Sequence, residues 1–157
     1  MKVLIAYDTV SPSQLTKAVA MAIGDAFREK GIDADVLYFN DVEKTKLAEY
    51  ECFIVGAPTM AFRPSKGISQ FLDSMRGEAL SGKRGAAFDT QVQTRISGNA
   101  AKGIEKRLRE MGLEIFSPPL VVYVQGKGKN AWEFKAGELE KAKAWAAEAA
   151  NALLKQG

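Results

Sequence analysis

Val3-Leu4-Ile5-Ala6-Tyr7-Asp8-Thr9-Val10-Ser11-Pro12-Ser13-Gln14 turns from an apolar run into a polar loop, and the segment beyond it decides the fold. From Gln14 to Lys30, Leu15, Val19, Ala22, Ile23, Ala26 and Phe27 recur at the spacing of one helical face, and Gly31 supplies a stop. Strand, loop and helix in that order make the first part of a βαβ unit. The pattern repeats. Ala34 to Phe39 reads as a second strand and Phe53 to Val55 as a third, broken by Gly56 and Pro58. A helix over Ser65 to Met75 comes next, with Ile68, Phe71, Leu72 and Met75 on one side. Gly85 to Phe88 is a short fourth strand, and Asn99 to Met111 a helix ended by Gly112. Ile115 and Leu120 to Val124 form a fifth strand, interrupted by Pro118-Pro119, before a closing Ala-rich helix over Gly137 to Leu154. Such alternation predicts one α/β domain over residues 1–157: a doubly wound, five-stranded parallel sheet with helices on both faces. In sheets of this kind ligands sit outside the carboxyl ends of the strands, which points to the loops after the first, third and fourth.

Composition narrows the chemistry. The chain has no histidine, which excludes a Ser-His-Asp triad, a histidine base and His-ligated zinc. A single cysteine, Cys52, excludes an internal disulfide and a multi-cysteine metal cluster. The net charge of +3 is mild, and its Lys and Arg are spread out, which argues against nucleic acid as a partner. Met1 to Ala6 is too short for a signal-peptide core or a membrane span, so a cytoplasmic protein without membrane contact is expected. No strand is followed by G-x-G-x-x-G or a Walker A pattern. A phospho-acceptor domain of similar strand order would use Asp8 and Lys127, but Gly56-Ala57-Pro58-Thr59 offers no aspartate after the third strand.

Thr9, Ser11 and Ser13 place three hydroxyls beside a helix N-terminus, where backbone amides and the helix dipole favour an anion. Ser11 or Ser13 as a simple helix cap, with Pro12 in the entry turn, is an equal reading of the same residues.

Thr9-Val10-Ser11-Pro12-Ser13-Gln14 resembles the phosphate loop of flavodoxins, T/S-x-T/S-G-x-T, at its first and third positions. Proline stands where that family has glycine and Gln14 where it has threonine, and proline brings no N–H. Phe53-Ile54-Val55-Gly56-Ala57-Pro58-Thr59, followed by Pro64 and Phe71-Leu72-Asp73, is similar to the G-S/A-P-T segment of the flavodoxin domains of diiron flavoproteins. By that resemblance Pro58, Thr59, Met60, Ala61 and Phe62 lie against a flavin ring. Asp89, Thr90, Gln91 and Gly98 fall on the third loop of the layout, in which residues 89–98 contain no aromatic to stack on the ring. Asp89 is its sole carboxylate. The resemblance spans about residues 2–155 and implies FMN, held by the loops after strands one, three and four.

Three functions are compatible with that resemblance. The first is an electron carrier, with a reductase or ferredoxin-like donor and an unassigned acceptor, working as a monomer or weak dimer. The second is an FMN-dependent reductase of a small molecule such as a quinone. The third is a module of this fold that has lost FMN and acts by protein contact, which Pro12, Gln14 and the aromatic-free third loop favour. Of the two tryptophans, Trp145 is expected in the core and Trp132 over the last loop.

Overall fold

A computed structural model describes residues 1–60, 63–94 and 98–156. Its sheet runs β2 (Asp33–Tyr38), β1 (Lys2–Tyr7), β3 (Cys52–Met60), β5 (Arg84–Val92), β7 (Leu120–Gly128) and β8 (Ala131–Phe134) from edge to edge. The first five of these are mutually parallel. Four helices flank them: α1 (Leu15–Glu29), α2 (Lys66–Met75), α3 (Ala100–Glu110) and α4 (Glu138–Gln156). Each was legible from its apolar spacing to within about two residues at either end.

The strands depart from expectation in informative ways. Gly56 and Pro58 do not break the third strand. β3 runs on through both and pairs with β5 as far as Pro58↔Thr90. The two-residue strand β4 (Arg63–Pro64) then folds back antiparallel on its end. The fifth strand divides at Pro118-Pro119: β6 (Glu114–Ile115) pairs with the start of β5, and β7 with its end. β8 was not foreseen. It lies antiparallel to β7 across a hairpin with an irregularity between Gly126 and Gly128, and Asn130 takes a left-handed φ of 57°.

Alternation along the buried strands sends side chains into two cores. Val3, Ile5, Ile54, Ala86 and Phe88 face α1 and α4, meeting Val19, Ile23, Phe27 and the small Ala142, Ala146 and Ala149. Leu4, Ala6, Phe53, Val55 and Ala87 face α2 and α3, meeting Ile68, Leu72, Ile104 and Leu108. Alanines on α4 let it lie close against α1. Trp145 is only partly buried against the first core, and its indole N–H donates to the Pro118 carbonyl at 2.8 Å.

Gly56 is fixed by packing. It pairs across the sheet with Phe88, whose ring is fully buried and would lie 2.1 Å from a β-carbon added at position 56. Gly56→Ala is therefore expected to lower stability by about 1–3 kcal/mol in a urea melt. Adding Phe88→Leu should recover part of that loss, whereas two additive losses would place the strain elsewhere.

Candidate functional site

Because strands are parallel and helices run back, the N-termini of α1, α2 and α3 all emerge at the carboxyl edge of the sheet. Each carries the positive end of a helix dipole and unpaired amides that need an acceptor. Two of the three are answered from within the chain. At α2, the Ser65 hydroxyl accepts from the Ile68 amide at 3.4 Å and donates to Asp8 at 2.6 Å, so a buried carboxylate stands behind the cap. The space is tight: a β-carbon on Gly67 would lie 2.7 Å from Asp8 Oδ2 and 2.6 Å from the Phe39 ring. At α3, Asn99 caps the Lys102 amide, while Asp89 Oδ2 accepts from the Ala101 amide at 3.2 Å.

α1 differs. Gln14, its N-cap residue, is left-handed (φ 51°), makes no side-chain cap, and no acidic residue occupies the first turn. The preceding loop spends some of its own polar groups internally. The Thr9 amide donates to Asp8 Oδ1, the Ser13 amide to Ser11 Oγ, and the Gln14 amide to the Ser11 carbonyl. That last bond closes a turn with Pro12 in its second position, a place that suits a fixed φ. The loop is built around its proline.

A cleft of about 430 Å³ opens beside this helix end. The loop lends it Thr9, Val10, Ser11 and Pro12; β3 lends Pro58, Thr59 and Met60; β5 lends Thr90 and Gln91. Those nine residues, expected from the sequence, are brought together. Ser13 and Gln14 do not line it. The Ser13 hydroxyl instead accepts from the Trp132 amide at 2.9 Å, tying the loop to the β7–β8 hairpin. Gly98, left-handed at φ 72°, precedes α3 and is not among the residues that line the cleft. Ala61 and Phe62 lie outside the described residues. Residues not foreseen complete the wall: Leu15 and Thr16 of α1, Val92, Val124, and Asn130 and Trp132 of the hairpin. Thr16 belongs there because its hydroxyl meets that of Thr90 at 2.7 Å, joining α1 to β5. Val92 and Val124 face each other across β5 and β7, a pairing hidden by reading the fourth strand as ending at Phe88, and the unread β8 hid Trp132. Val10, Met60, Val92 and Trp132 remain exposed, giving the cleft an apolar rim.

Asp89 does not face the cleft. One residue along β5 from Thr90, it points to the opposite side of the sheet, beneath α3. It is fully buried, with Oδ2 accepting from Thr59 Oγ1 (3.0 Å), Gln91 Nε2 (2.9 Å) and the Ala101 amide. Thr59 Oγ1 also accepts from the Ala100 amide at 3.0 Å, so this network fixes a cleft-lining residue from behind. Oδ1 has no partner among the described residues. Burial, outweighing those hydrogen bonds, pushes the Asp89 carboxyl above its usual range. The Cys52 thiol is also buried and pushed well up, which makes it inert rather than nucleophilic. No helix is long and apolar enough to cross a membrane, and no group of metal-ligating side chains is found among the described residues.

A raised native pKa fixes a sign. Above about pH 4, where the unfolded Asp89 has lost its proton, the folded protein still holds one. Asp89 thus contributes a stability that is complete at lower pH and declines as pH rises through its native pKa. Asp89→Asn removes that contribution's slope. Denaturant melts from pH 4 to 8 should show the variant gaining on the parent with rising pH; a constant difference would mean that Asp89 titrates normally.

The family model for flavodoxin matches residues 10–145. No curated protein sequence matches. Among solved structures, the chain is 27% identical to a flavodoxin from the domain Archaea, with a TM-score of 0.76 over 96% of this chain and 97% of that one. It is 22% identical to oxidised flavodoxin 1 of Bacillus cereus, with a TM-score of 0.79 over 96% and 98% of the two chains. Rubredoxin oxygen:oxidoreductase of Desulfovibrio gigas superposes with a TM-score of 0.78 at 23% identity, covering 99% of this chain and 36% of that one. Fold, family model and the placement of the cleft agree: the chain belongs to the flavodoxin family, whose members carry a flavin and pass electrons to protein partners.

Proposed function

We propose that the chain binds FMN in this cleft and serves as an electron carrier between redox proteins. The observation that carries the reading is the unanswered N-terminus of α1. α2 and α3 hold the chain's own carboxylates at their ends, whereas α1 has neither cap nor acid and opens beside Thr9, Ser11 and Thr16. A phosphate monoester suits that place: its oxygens take the first-turn amides, the dipole favours its charge, and neighbouring hydroxyls donate. The donor set thus fits the phosphate of FMN. FMN, when bound, accepts and returns electrons one or two at a time.

The rest of the work falls to the chain. Pro58, Thr59 and Met60, with Thr90 and Gln91, form walls on which a planar ring can lie, and Thr59 is held by Asp89 and the Ala100 amide. Val10, Val92 and Trp132 exclude water from the ring's flanks. With no histidine in the sequence, the reading asks for no histidine base, only for a tuned and partly exposed ring. One phosphate site favours a mononucleotide over FAD.

Titration of the purified chain with FMN and with FAD, followed by dialysis and a visible spectrum, tests this reading. One FMN retained per chain, with FAD held more weakly, is the expected result. No retained flavin would instead support a module that acts by protein contact. Ser11→Asp supplies the local check. A carboxylate there mimics what Asp8 and Asp89 do for the other helices. Repulsion between charges about 4 Å apart near a surface is on the order of 4 kcal/mol, so FMN affinity should fall at least about a hundredfold. The apoprotein's melting temperature should hold or rise, because the new charge favours the helix end.

A further inference from the structure

The carboxyl edge of the sheet is also where unpaired cations gather. Helices ordinarily favour Asp or Glu in the first turn, yet α1, α2 and α3 carry no acid there. Exposed lysines stand in those turns instead: Lys17, Lys66 and Lys102. Arg63 is exposed on β4, directly opposite the rim residue Met60, and Lys127 and Lys129 are exposed on the hairpin that supplies Asn130 and Trp132. None of these six cations makes an ion pair among the described residues. Elsewhere Lys2, Arg28, Lys46, Arg76, Arg107, Arg109 and Lys141 do, while Lys143 and Lys155 on α4 are exposed and make none among the described residues. Of the carboxylates on the same edge, Asp8 and Asp89 are buried, Glu133 on β8 accepts from Gln125, and Asp41 just past β2 is exposed, so exposed cations outnumber exposed acids there.

Lysine at a helix N-terminus is locally unfavourable, so three of them at one edge give up some fold stability for something outside the chain. The same edge of the sheet carries an exposed apolar rim of Val10, Met60, Val92 and Trp132. A dry apolar centre within a polar, charged border is the anatomy of a protein–protein interface. We infer that this face docks an acidic redox protein, whose carboxylates meet the six cations while its apolar centre covers the rim. The cations come from five separate elements rather than from one basic stretch, which suits a globular partner better than a nucleic-acid strand. Cations of this kind chiefly speed encounter and set its salt dependence, which suits a short-lived complex. The inference deepens the electron-carrier reading and rests on it for its purpose, but the association itself is measurable without electron flow.

The test is calorimetric titration of the chain with an acidic [2Fe–2S] ferredoxin, both proteins oxidised, at low and at about 0.3 M salt. Binding at low salt that weakens at least tenfold at high salt is expected. Lys127→Glu with Lys129→Glu should weaken it at least tenfold. Lys66→Glu with Lys102→Glu should do the same, and keeps the fold because it places acids at two helix N-termini. Lys143→Glu with Lys155→Glu, an equal charge change on α4, should leave binding within about twofold. Equal loss in that control, equal binding of the basic cytochrome c, equal binding of a single-stranded oligonucleotide, or no ferredoxin binding would each overturn the inference. Retention of FMN is scored separately, so a chain that binds flavin but not ferredoxin refutes the docking face alone, and one that binds ferredoxin without flavin refutes the carrier.

Discussion

Parallel strands crossed by returning helices force every helix N-terminus at the carboxyl edge to present its positive end within a narrow space, and much of this protein's architecture depends on how each end is met. Asp8 with Ser65 answers α2, and Asp89 with Asn99 answers α3. These pairs also do structural work. Ser65 couples the end of β1 to the start of α2, and Asp89 couples β3, β5 and α3 through Thr59 and Ala101. Two helix ends are therefore locked to the sheet. The third is left without a charge of its own to meet it, and a cleft lies beside it.

The electrostatics of that edge are unusual in how they are partitioned. The carboxyl groups of Asp8 and Asp89 are buried, where they hold helices, and its lysines are exposed, where they face solvent. A buried carboxylate receiving several hydrogen bonds still carries a desolvation cost, which is why Asp89 resists ionisation despite its donors. Exposed lysines incur little such cost.

How much of this was legible beforehand differs by element. Helices and core strands were readable because periodicity reports burial directly, as in Val19, Ile23 and Phe27 on α1. The line of β3 through Gly56 and Pro58 was not, because the glycine answers to Phe88 on a neighbouring strand. β8 escaped because Ala131 to Phe134 is short, half-exposed and without clean alternation. With it went Trp132 as a cleft residue. Asp89 reads as a loop residue after a strand ending at Phe88, but β5 runs on to Val92, so its side is set by strand alternation and falls beneath α3. Ser13 shows a similar limit: its type suits a phosphate, yet its oxygen is engaged by an amide far along the chain.

β8 has an effect on what happens at the margin of the sheet. A parallel core that stopped at β7 would present a nine-residue border of open amides and carbonyls. Four antiparallel residues bearing Glu133, bent by the glycines of the hairpin, cover the far half of that border and give it a short, charged, irregular outline. Strand-on-strand stacking between molecules needs a long flat template, and this margin does not offer one. The hairpin that walls the cleft therefore also keeps neighbouring copies from zipping together when the protein is crowded.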